Sequence, residues 1–153
     1  MILSILERYV KLSKERVRIE RLLKKAYITN RRVARDLEKE LEVINATINF
    51  LYEKILNIIT FSTEEELKNL SKCIERKASV IKNELSETDT LLKISSDNKE
   101  VARDSHDEVA IKTYEEIIKD AKDKRKEQQE ELNCYDYALG LCYKMRFVSN
   151  ATK

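Results

Sequence analysis

Apolar residues in the first part of the chain recur at alternating steps of three and four, the spacing that gathers them on one face of a helix. The row runs through Tyr9, Leu12, Ile19, Leu23, Ala26, Val33 and Leu37, with Arg16 and Asn30 standing in it. One added residue shifts the phase between Leu37 and Leu41. The row then continues as Ile44, Ile48, Leu51, Ile55 and Ile58. Thr29 and Asn30 form a weak break, because both have modest helix propensity and Asn30 replaces an apolar seam residue.

The first strong break is Phe61-Ser62-Thr63-Glu64-Glu65-Glu66. Ser62 with Glu65, or Thr63 with Glu66, makes a capping box, and the acids suit the positive end of a helix. Leu67, Leu70, Ile74, Ala78, Ile81, Leu85 and Leu92 mark the next amphipathic helix. The turn formers Ser95-Ser96-Asp97-Asn98 predict its end, with Ser96 or Asp97 capping the last helix. That helix carries Val101, Ser105, Val109, Tyr114, Ile118, Ala121, Arg125, Gln128, Leu132, Tyr135, Leu139 and Cys142. The pattern predicts an all-α antiparallel bundle in a single domain over 1–153. Its helices fall at about 2–28, 31–60, 63–94 and 97–148. The alternative is a three-helix rod in which the first helix is unbroken over 2–60.

Composition supports helices and little else. The 153 residues include no proline and one glycine, Gly140, which removes the usual turn chemistry. Charged residues make up 38%, as in long solvated helices, yet 42% hydrophobic residues suffice for a core. Met1-Ile-Leu-Ser-Ile-Leu-Glu-Arg does not read as a signal peptide. The most apolar stretch, Val43–Thr63, holds Glu53 and Lys54 at its middle, so no membrane span is expected. Cys73, Cys134 and Cys142 without an export signal suggest free thiols in a reducing compartment. The expectation is a soluble intracellular protein, cytoplasmic or a virus-encoded component.

Charge changes the picture most. Residues 8–35 hold eleven bases and two acids, a net +9 in a chain whose total is +2. Lys11, Lys14, Arg18, Arg21, Lys25, Arg32, Arg35 and Lys39 step by three, four or seven along the outer side of the first helix. A basic stripe that leaves the apolar seam free to pack can meet an acidic surface. It could neutralise phosphates without reading sequence.

A second unusual stretch is 132–148. Tyr135, Tyr137, Leu139, Leu141, Tyr143, Met145 and Phe147 are spread around all sides of the helix. A helix apolar all round requires burial all round. It lies either at the bundle centre beside Val43–Phe61 or in an interface with a partner or a second copy, where Gly140 would permit close approach.

Catalytic and metal chemistry find no constellation. His106 is the only histidine and reads as a solvated residue in the first turn of the last helix. There is no HExxH, no CxxC, no P-loop and no dinucleotide fingerprint. The sequence predicts no enzyme, cofactor, metal or small-molecule substrate. It predicts a helical binding or assembly protein whose basic first helix docks on an acidic protein surface. The apolar C-terminal helix would mediate self-association, giving a homo-oligomeric scaffold or virion-type component. The alternative is a sequence-nonspecific nucleic-acid-binding protein, or a regulator of nucleic-acid machinery, that uses the same stripe.

Overall fold

The computed structural model describes residues 2–151, with side chains to Arg146. Among the described residues the chain forms four α-helices: α1 (Ile2–Thr29), α2 (Arg31–Thr60), α3 (Glu64–Asp104) and α4 (Glu108–Ala151). The bundle is two antiparallel hairpins of unequal length, α1–α2 and α3–α4. At 1.5 Å per residue the second hairpin is about 20 Å longer. No helix among the described residues is long and apolar enough to cross a membrane.

The first helix does break, at Asn30. This one residue is extended (φ −159°, ψ 102°) and serves both helices. Its backbone N–H donates to the Ala26 carbonyl at 2.8 Å, completing α1. Its Oδ1 accepts from the backbone N–H groups of Arg32 and Val33 at 3.1 and 3.3 Å, capping α2. A joint this short requires close helices. Leu23 and Ala26 meet Ala34 there, and the small alanines let the backbones approach. The restart sets a new phase, so Ala34 takes the buried position while Val33, placed in the seam by spacing, faces solvent. Further down, Ile19 packs with Ile44 and Ile48.

The start of α3 uses Thr63, whose Oγ1 accepts from the Glu66 N–H at 3.2 Å and donates to Glu66 Oε1 at 3.1 Å. Its end corrects the sequence reading. Ser95–Asn98 do not break the helix, because Ser95 falls in the seam and is buried against α4 with Thr88 and Ala102. The helix continues to Asp104 and closes in the turn Ser105–Asp107. His106 is not a first-turn residue of α4. It adopts φ 54°, the left-handed conformation that ends a helix. Its N–H donates to the Arg103 carbonyl at 3.1 Å, and the Asp107 N–H reaches the Ala102 carbonyl at 3.0 Å. Asp107 then opens α4, its Oδ1 accepting from the Ala110 N–H at 3.1 Å.

The main core lies where all four helices meet. Leu6 and Val10 of α1 pack with Ile55 and Ile59 of α2, Leu67 and Ile74 of α3, and Tyr135, Ala138 and Cys142 of α4. α1, α2 and α3 all pack on α4. The far half of the α3–α4 hairpin has a seam of small and polar residues. There Thr88 donates a three-centre hydrogen bond to Gln128 Oε1 at 2.9 Å and to the Glu84 carbonyl at 3.0 Å.

Candidate docking surface on the first hairpin

The basic stripe of the sequence is divided in two by the fold. Its lower part ties α1 to the acidic flank of α4. Lys14 Nζ lies 3.0 Å from Glu131 Oε2, and Arg16, which stands in the apolar row beside the stripe, lies 3.5 Å from Glu130. Arg21 stands 3.6 Å from Asp123 and 3.7 Å from Glu127. Arg18 pairs with Glu15 on its own helix. Part-exposed pairs of this kind contribute roughly 0–1 kcal/mol each, so they set register more than stability. A cleft of about 410 Å³ opens here among α1, α3 and α4, walled by Lys11, Lys14, Arg18, Lys77, Glu7 and Glu131. Lys77 takes Glu7 at 2.7 Å. Bases and acids in this cleft largely satisfy one another.

The upper part is different. Residues 21–35 contain six bases and no acid. Arg21 is used by α4, but Lys24, Lys25, Arg31, Arg32 and Arg35 are all exposed. None of the five has an ion-pair partner within 4.0 Å among the described residues. Lys11 and Lys39 are likewise exposed and unpaired. Arg31 and Arg32 occupy the first turn of α2, which has no acid. Cations are disfavoured at that positive helix end, so the tip concentrates positive potential. The chain closes on itself at Asn30 and gathers the five charges around one joint.

Sequence reasoning missed the apolar company of these charges. Tyr27 and Ile28 stand at the same tip, and Ile28 is 88% exposed. The Tyr27 hydroxyl donates to Glu38 across the hairpin. The signal was present: Tyr27 and Ile28 lie off the Leu23–Ala26 seam.

The C-terminal stretch is mostly drawn into the core. Tyr135 is buried, and Leu139, Leu141 and Met145 are half-buried against the main cluster. Tyr137 stacks on Tyr52 with ring centroids 5.7 Å apart and shares a hydroxyl–hydroxyl hydrogen bond with it. That bond raises the Tyr137 hydroxyl to about 12. Tyr143 donates to Glu75. The Phe147 side chain lies outside the described residues. Gly140 makes no close approach, since a Cβ there would meet nothing within 4 Å. The three cysteines are free, and burial raises the Cys134 thiol from 9.0 to about 11. Among the described residues no group of three or more His, Cys, Asp or Glu side chains could hold a metal ion.

Compared with known proteins, the chain matches no family model, no curated protein and no solved structure.

Proposed function

We propose that this chain is a non-enzymatic binding protein that docks on an acidic macromolecular surface through the tip of its α1–α2 hairpin. One observation carries the reading: residues 21–35 hold six bases and no acid, and five of the six are exposed and unpaired. The same fold spends Lys14, Arg16 and Arg21 on α4, so the free charge is not a general property of α1. Contact with an acidic partner would relieve the repulsion at the tip and offset the unfavourable placement of Arg31 and Arg32.

The test is retention of the chain on immobilised oligonucleotide, polyphosphate and polyglutamate. The wild type is expected to bind at least one of them at low salt and to elute as salt rises. The variant carrying Lys25→Glu, Arg32→Glu and Arg35→Glu should elute far earlier. Equal elution of the two, or no retention on any of the three, overturns the reading.

A further inference from the structure

The outer side of α2 carries a second pattern. Arg32, Lys39, Val43, Phe50, Lys54 and Phe61 follow one another at steps of seven, four, seven, four and seven. Eleven residues make about three helical turns, so this repeat draws a straight line along a helix. The line runs about 43 Å, from the cationic tip to the end of α2. Every member is exposed: Val43 is 67%, Phe50 56% and Phe61 86% accessible. Asp36, one turn after Arg32, is the acid in this line, and Glu40, Glu42 and Glu53 are exposed beside it.

Single apolar side chains are ordinary on a protein surface; what sets these apart is that they share one line with cations, and their spacing restricts the partner. A helix docking in a groove needs an apolar residue every three or four positions. Val43, Phe50 and Phe61 are seven and eleven apart, too sparse to seat one. Two cations lead the line, and a third, Lys54, stands between its two rings, Phe50 and Phe61. Lys54 Nζ stands over the Phe50 ring, 4.7 Å from its centroid, so a stacking plane and an ammonium come as a pair. Rings and cations along one line are what an unpaired strand requires. Its bases offer faces for stacking and its backbone offers phosphates. A duplex keeps its base faces inside and could use the cations alone.

We infer that this face of α2 binds single-stranded nucleic acid, with phosphates on Arg32, Lys39 and Lys54 and bases stacked on Phe50 and Phe61. The inference rests on the docking role proposed for the hairpin and names its partner.

The experiment is fluorescence anisotropy of the full chain with a labelled oligothymidylate and with a duplex of the same length. The single strand should bind more tightly. Phe50→Ala and Phe61→Ala should each weaken it by about five- to a hundred-fold and leave duplex binding unchanged. Phe61→Trp should keep the affinity. Both side chains are exposed, so the variants should keep the wild-type helical circular dichroism. Arg32→Glu with Lys39→Glu should weaken both ligands. If the charge variant weakens binding while both alanine variants bind as wild type, docking stands and the stacking inference falls. If the charge variant changes nothing, both fall. Tighter capture by polyglutamate than by either oligonucleotide makes the partner an acidic protein and overturns the inference alone.

Discussion

Ser13 sits on α1 with its hydroxyl fully buried and no hydrogen-bond partner among the described residues. The Cys134 sulfur beside it is only a weak acceptor for the hydroxyl proton and does little for it. A buried hydroxyl without a partner carries its desolvation penalty uncompensated. Ser13→Ala is therefore expected to stabilise the fold by about 1 kcal/mol, read as a higher urea midpoint with an unchanged slope. The neighbouring thiol predicts the pH response. Burial raises Cys134 from 9.0 to about 11, and burial also raises Cys142, Tyr9 and Tyr135. These groups keep their protons longer folded than unfolded. Their contribution is complete below the unfolded values and is lost as pH climbs through the folded ones. The urea midpoint should thus hold up to pH 9 and fall between 9 and 11. A midpoint that rises across that window would contradict the burial of these groups. The same burial makes Cys134 and Cys142 slow toward a thiol reagent, with half-buried Cys73 reacting first.

The two helix junctions that differ most in legibility are Asn30 and His106. Asn30 could be read from sequence because its capping chemistry and its intrusion into an apolar row coincide. The end of α3 could not be read, since Ser95–Asn98 have turn-forming side chains but seam spacing. Packing of Ser95 against α4 overrides their local preference. The true stop is closed by a histidine at φ 54°, where glycine is the usual residue. His106→Gly should stabilise by about 1 kcal/mol by removing the left-handed strain. The opposite exchange applies on α4. Gly140 is helical with open space at its Cβ position, so Gly140→Ala should gain about 1 kcal/mol in thermal or urea melts. A loss in either variant would show that the local backbone differs from the one described. The stripe was legible in the same partial way. Its bases and spacing are in the sequence. Which of them stay free depends on Asp123, Glu127, Glu130 and Glu131 arriving from the other hairpin, a tertiary fact that no local pattern encodes.

Across the bundle, charge and apolar surface are separated by function of place. The four-helix end spends its apolar side chains in one core, the middle of α1 spends its bases on α4, and the α1–α2 hairpin retains both unspent cations and unspent rings. This distribution bears on assembly. The apolar residues spread around 132–148 suggest an interface only where the bundle leaves them exposed. With Tyr135 and Cys142 buried, the described surface it can offer is chiefly Tyr137 and Tyr143, 44% and 46% exposed. Each already makes a hydrogen bond, to Tyr52 and Glu75. Specific dimers bury roughly 800 Å² per partner, far more than two tyrosines supply. Light scattering at tens of micromolar, a concentration range of about −6 kcal/mol in binding free energy, should therefore give the 18.0 kDa monomer. A dimer that dissociates on combining Tyr137→Ala with Tyr143→Ala would return the C-terminal helix to the role of interface. A dimer indifferent to those changes but lost with Phe50→Ala would place the contact on α2 and make a second copy the occupant of that face.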